Sequence, residues 1–107
     1  MKNLAIIIPT FNRKSYLVKL LNQVSNMPNN NFNITIVVVV DGSTDGTLEI
    51  LFKDFPHVHI VNGEGDWWYT ESINQGLAYL KRLKTEYVLT LNDDILLENN
   101  FFIALNN

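Results

Sequence analysis

The residues with most chemistry in this chain are acids that appear where apolar runs stop. In "EYVLTLNDDILLE" (residues 86–98) an apolar stretch breaks at Asn92-Asp93-Asp94 and then resumes. Adjacent carboxylates repel, so a pair at the rim of a core implies a counter-charge. The run "ITIVVVV" (34–40) stops in the same way at Asp41, followed by Gly42, Ser43, Thr44, Asp45 and Gly46. "LAIII" (4–8) gives way to Pro9-Thr10-Phe11-Asn12-Arg13, and a weaker apolar run, His57 to Val61, to Asn62-Gly63-Glu64-Gly65-Asp66-Trp67-Trp68. Clustered carboxylates without His or Cys suit a hard divalent cation, Mg²⁺ or Mn²⁺, which takes oxygen ligands. An acidic pocket does not attract a phosphate group unaided. A bridging cation resolves that sign conflict, and the ligand is then a nucleotide or another phosphorylated molecule.

Four elements must bring these segments together. The apolar runs 4–8, 34–40, 57–61 and 86–91 predict four strands, the first ending at Pro9 and the second the strongest of the four. Between them, Tyr16, Leu17, Leu20, Leu21 and Val24 fall at helical spacing within 15–24. "STDGTLEILFKDF" offers Ser43, Thr44 and Asp45 as N-caps of a second helix. Ile73, Leu77 and Leu80 predict the buried face of a third. "NMPNNNFN" reads as a loop, and the residues after Asp94 as the start of another helix. Strands alternating with helices imply a parallel sheet, right-handed crossovers and helices on both faces. All strand C-termini then share one edge, and ligands bind outside that edge where strand order reverses. Four polar, acidic or glycine-bearing loops at one edge are the main sign of a site.

Each piece also has a plainer reading. Asp93-Asp94 alone suits a solvated turn, Asp41-Gly42 is a common turn pair, and Asp45 suits a helix start better than a ligand. Trp67, Trp68 and Tyr69 suit a core plug, but three adjacent aromatics do not all face one interior, so at least one is expected to line the crevice. His57 and His59 lie on one strand face with no third ligand near, which favours packing or solvent over a metal. Glu71 and Asn74 read as surface residues, and Lys81, Arg82 and Lys84 as a basic helix end complementing the helix dipole.

The 107 residues suit one domain, 1–107. A net charge of −3 gives no basic footprint for nucleic acid or an anionic membrane, and the absence of cysteine excludes disulfides and thiolate metal sites. The N-terminal apolar run is too short for a signal peptide, and there is no 18-residue apolar span. A P-loop GxxxxGK[ST] is missing. "GEGDWW" places Trp68 where a dinucleotide fingerprint needs its third glycine. Thr10-Phe11-Asn12 stands where a receiver domain would carry its acidic pair.

"AIIIPTFNR", "VVVVDGSTDGT", "GDWWYTESINQG" and "LTLNDDI", in this order, resemble the N-terminal half of family 2 glycosyltransferases, the third segment most closely those of rhamnosyltransferase type. The resemblance implies the GT-A fold: a Rossmann-like, three-layer α/β/α arrangement with a mostly parallel sheet, strand order 3-2-1-4, here truncated. It implies transfer of a sugar, with inversion, from a nucleotide-diphosphate sugar, UDP- or dTDP-linked, to a saccharide or lipid-linked acceptor hydroxyl in polysaccharide or cell-wall synthesis. Donor contacts are then expected from Pro9, Thr10, Phe11 and Asn12, from Asp41 (the base-reading acid), Gly42 and Ser43, from Gly65 and Trp68, and from Asn92 and Asp93. Asp94, with Asp93, matches the DxD-like motif that holds Mg²⁺ or Mn²⁺ on the diphosphate.

Three departures qualify the resemblance. Val40 and Asn92 replace acids of the family motifs, and family domains run to about twice this length. The acceptor half and the catalytic base are therefore expected beyond Asn107. The location implied is the cytoplasm, peripheral to the inner face of the membrane in the full-length protein, and a sheet cut after its fourth strand is expected to self-associate through its edge. A non-catalytic nucleotide-binding remnant stands as the alternative. A sugar-phosphate nucleotidyltransferase fits less well, because Pro9-Thr10-Phe11-Asn12 lacks the glycine such a loop needs.

Overall fold

The computed structural model describes residues 2–105. Its elements alternate as expected: β1 (Lys2–Thr10), α1 (Lys14–Asn26), β2 (Phe32–Asp41), α2 (Thr47–Asp54), β3 (His59–Gly63), α3 (Trp68–Leu80), β4 (Tyr87–Thr90) and α4 (Phe101–Leu105). The four strands form one sheet in the order β3-β2-β1-β4, with every pairing parallel. Residues 1, 106 and 107 lie outside the described residues.

The β-branched runs form the centre because both of their faces are covered. Leu4, Ile6, Ile8, Ile36, Val38 and Val40 point to one side, where they meet Leu17, Leu20, Leu21, Leu51 and Phe102 of α1, α2 and α4. Ala5, Ile7, Val37 and Val39 point to the other, against Leu80, Ile73 and Tyr79 of α3. Each fully buried Val or Ile contributes on the order of 2 kcal/mol of transfer free energy, so the two central strands carry much of the drive to fold. The result is three layers, α/β/α.

Several boundaries and faces differ from the expectation. Strand β1 does not stop at Pro9 but runs to Thr10, pairing Pro9 with Val39 and Thr10 with Val40. In a parallel strand alternate residues address opposite neighbours. Leu91 N–H donates to Ile7 C=O, so Ile7 and Pro9 both face β4, whose pairing ends at Ile7↔Thr90. The missing N–H of Pro9 therefore falls just past the ladder and costs nothing. β3 starts at His59 rather than His57, so the two histidines do not share a strand face, and His59 Nδ1 lies 2.7 Å from the Tyr79 hydroxyl. On α3 the buried positions are Ser72, Gly76 and Leu80, while Leu77 is exposed. Gly76 sets this face: a Cβ there would lie 2.8 Å from Ile7 Cγ2, so the helix axis sits closer to the sheet than any side chain would allow.

Candidate functional site

Strand order reverses between β1 and β4: the chain leaves β1 for β2 and β3 on one side and returns to β4 on the other. The four loops at the C-terminal edge, numbered 1 to 4 after the strands β1 to β4 that lead into them, are knitted together in the spatial order of those strands. Loops 4 and 1 are joined by Thr10 Oγ1, which donates to Asp93 Oδ2 at 2.9 Å, and by Arg13, whose Nε lies 3.2 Å from Asp93 Oδ1 and whose Nη2 lies 3.0 Å from Asp94 Oδ2. Loops 1 and 2 are joined through Asn12, whose positive φ of 51° is one that Asn tolerates. Asn12 N–H donates to Ser43 Oγ at 2.9 Å, and Thr44 N–H donates to Asn12 Oδ1 at 2.7 Å.

Asp45 belongs to the same junction. Its Oδ2 accepts from Lys14 N–H at 3.0 Å and its Oδ1 from Thr47 N–H at 3.2 Å and from the Thr47 hydroxyl. One carboxylate thus caps the first turns of both α1 and α2, where N–H groups lack partners and the helix dipole favours a negative charge. Burial pushes the Asp45 carboxyl up, but the bonds from Thr47 and Lys14 outweigh it and hold it below its ordinary value of 3.8. Ser43 and Thr44, also cap candidates, are instead spent on Asn12.

Loops 2 and 3 are joined by Asp41. Its Oδ1 accepts from Gly65 N–H at 2.8 Å, and its Oδ2 from Trp67 N–H at 2.9 Å and Trp68 N–H at 3.2 Å. Trp67 and Trp68 open α3, so Asp41 caps that helix from the end of β2. Gly42, at φ +77°, lets loop 3 approach: a Cβ there would lie 2.7 Å from Gly65 N. Trp68 is left with φ +57° and 82% exposed. A bulky residue in that region is strained by roughly 1–3 kcal/mol, and the Asp41 bond helps to hold it there.

An open crevice of about 390 Å³ lies among these loops, lined by Pro9, Thr10, Phe11, Arg13, Asp41, Gly65, Trp68, Tyr69, Ser72 and Asp93. That size suits a small ligand. Of the residues singled out in the sequence, the crevice brings together Pro9, Thr10, Phe11, Asp41, Gly65, Trp68 and Asp93. Asn12, Gly42 and Ser43 brace the loops behind it, and exposed Asn92 and Asp94 stand beside it. Trp67 is half-buried and packs on the α3-side core, which leaves Trp68 and Tyr69 as the aromatics at the crevice. Another hollow of similar size, between Lys19, Asn22, Gln23, Asn26, Met27 and Asn99, is lined from the far half of α1 and holds no carboxylate.

The two adjacent acids differ. Asp93 is buried, with a side chain only 9% exposed, and both its oxygens are engaged by Thr10 and Arg13. Burial raises its carboxyl above the ordinary value of 3.8 against the opposing pull of Thr10 and Arg13, and the charge on Asp94 adds to the rise. The Asp94 side chain is 46% exposed and only its Oδ2 meets Arg13. Among the described residues no group of three or more His, Cys, Asp or Glu gathers as a metal cage. The donor set fits a cation that keeps most of its shell on phosphate and water, since such an ion needs only one or two carboxylates; Asp94 is the side chain with an oxygen open to it.

Arg13 and Ser72 join the crevice without having been assigned a role from the sequence, and Tyr69 joins it as one of the three aromatics of which at least one was expected there. Arg13 had a signal: it is the single cation in the four strand-end loops. Ser72 had none, because its burial follows from the close approach of α3 at Gly76.

A family model described as "Glycosyl transferase family 2" matches residues 5–105. A 44-residue stretch is 48% identical to an abequosyltransferase (RfbV) of Salmonella typhimurium, covering 41% of this chain and 13% of that protein. Among solved structures, S. aureus TarS 1–349 superposes with a TM-score of 0.75 at 28% identity over 99% of this chain and 31% of that one; TarS has also been solved in complex with UDP-GlcNAc. A mannosyltransferase of Pyrobaculum calidifontis, solved with GDP-Man and Mn²⁺, shares the fold with a TM-score of 0.70 at 20% identity over 91% of this chain and 29% of that one. The chain therefore spans about a third or less of the length of the proteins it matches. Its parallel sheet, strand order and matched profile together place it: the chain belongs to glycosyl transferase family 2 and has the GT-A fold.

Proposed function

We propose that this chain holds the nucleoside diphosphate of a sugar donor in the crevice at the C-terminal ends of the strands, beside the start of α3, and is the donor-binding part of a glycosyltransferase. The observation that carries the reading is the Thr10–Asp93 bond at the point where strand order reverses. It fixes an acidic rim against an open crevice, where α/β sheets bind ligands. Phe11 and Trp68, both exposed, offer ring faces to a base or sugar. Asp94 would give one oxygen to Mg²⁺ or Mn²⁺, with diphosphate oxygens and water completing the shell. When bound, the cation supplies charge neutralisation for the departing nucleoside diphosphate. Transfer would be a single displacement with inversion, in which a carboxylate takes the acceptor's proton. UDP is favoured over GDP, because the UDP-GlcNAc-bound relative is the more similar in sequence.

Isothermal titration with UDP, dTDP and GDP, each with Mn²⁺ and then with EDTA, tests the reading. Binding of one diphosphate that needs the cation is expected. A folded chain that binds none of the three, alone or in a longer natural form, contradicts it. A non-catalytic nucleotide-binding role is the second reading, favoured by the full engagement of Asp93 with Thr10 and Arg13; turnover of UDP-sugar by this chain alone would exclude it.

A further inference from the structure

Resting on that donor-site reading, we propose that Arg13 competes with the divalent cation for Asp94, so that the strength of metal binding is set by a guanidinium built into the first loop. The geometry is a fork across both acids. Nε reaches Asp93 Oδ1 at 3.2 Å and Nη2 reaches Asp94 Oδ2 at 3.0 Å. The two contacts are not equal. Asp93 is buried and also held by Thr10, so its bond to Nε is sheltered. Asp94 and Arg13 are both nearly half exposed, so the Nη2 bond is the kind that solvent and salt weaken.

The guanidinium also stacks on Tyr16, its Cζ 4.8 Å from the ring centroid. Arg13 therefore keeps two of its three anchors, Asp93 and Tyr16, when Asp94 turns to another partner. Releasing Asp94 takes a rotation of one carboxylate and no rearrangement of the loop. Two carboxylates and one guanidinium leave a charge of −1 at this rim. A divalent ion that takes an oxygen of Asp94 must displace Nη2 or tolerate a positive neighbour, and either lowers its affinity. The diphosphate reverses the balance: its oxygens supply the charge that Arg13 and the cation both want, so cation and nucleotide enter together better than the cation alone.

The test is Mn²⁺ binding without nucleotide, measured from the electron paramagnetic resonance signal of the free ion, in wild type, Arg13→Gln, Arg13→Lys and Asp94→Asn. Arg13→Gln is expected to bind Mn²⁺ roughly three- to tenfold more tightly, the size of an exposed ion pair plus one nearby charge. Arg13→Lys, which keeps the charge but loses the fork, falls between. Asp94→Asn abolishes binding in either background. Loss of a merely structural contact would not tighten binding, so this gain is diagnostic. Equal or weaker Mn²⁺ binding by Arg13→Gln, with near-ultraviolet circular dichroism unchanged, overturns the proposal. If Arg13→Gln does not fold, the order of Arg13→Lys against wild type decides. If Mn²⁺ binds wild type and Arg13→Gln alike while UDP still needs the cation, only the competition fails. If UDP binds equally well in EDTA, the metal part of the donor reading fails with it.

Discussion

Asp41 ends the buried strand β2 and Asp94 follows the exposed edge strand β4, and the fold uses them in opposite ways. Asp41 is turned into the protein, and its two oxygens accept three backbone N–H groups from loop 3. Asp94 is turned outward and meets one side chain, Arg13. The difference lies in the partner. A backbone N–H of a helix's first turn has no other protein acceptor, so an acid that satisfies it becomes part of the architecture. An arginine at the surface can find water or another anion, so an acid that meets it stays available. Asp93 lies between these cases, buried like Asp41 but held by side chains like Asp94.

The largest effect should come from Asp41→Ala. It orphans three part-buried N–H groups and releases the start of α3, so unfolding in urea should show a loss of about 3 kcal/mol, roughly 1 kcal/mol for each donor. A loss under about 1 kcal/mol would mean that loop 3 finds water without penalty. Asp45→Ala comes next, because it uncaps α1 and α2 together; a loss of about 1–2 kcal/mol is expected from the usual worth of a cap.

The pH dependence of these acids separates them further. The folded-state carboxyl of Asp45 is lowered, so its stabilisation is present above pH 3.8 and fades as pH falls through the lower folded value. That of Asp93 is raised, so the folded state binds its proton first. Its ionisation therefore costs stability as pH rises from 3.8 through the raised folded value, and acidification across that window recovers it. Comparing wild type with Asp93→Asn between pH 6 and pH 4 should show the difference moving in favour of wild type as pH falls. The same comparison with Asp45→Asn should move the other way below pH 4. Parallel trends would contradict the assignment of opposite signs. The smallest effect on stability belongs to Asp94→Asn, under about 0.5 kcal/mol for an exposed pair.

The sheet was legible in the sequence because a strand buried on both faces must be an unbroken β-branched run, and Ile34–Val40 is one. The end of β1 was not, because the tolerance for Pro9 depends on where β4 stops pairing. Nor was the buried face of α3, where a glycine's close approach outweighs the leucine at position 77. In the site, the residue types and the shared edge were legible, but the partnerships were not. Thr10 and Asp93 lie 83 residues apart, and the acceptors on Asp41 answer to backbone N–H groups that no residue letter records. Arg13 stood in the quoted motif without a role, since only the structure places its guanidinium against both acids.

The measurement that tests the donor site most directly is titration of wild type and Asp94→Asn with UDP in the presence of Mn²⁺, both shown to unfold at the same urea concentration. Binding in wild type that weakens at least about tenfold in Asp94→Asn, the size of a lost charge-assisted contact, is the predicted result. Equal binding by both proteins, or none by the folded wild type, would contradict the assignment of Asp94 to the diphosphate's cation.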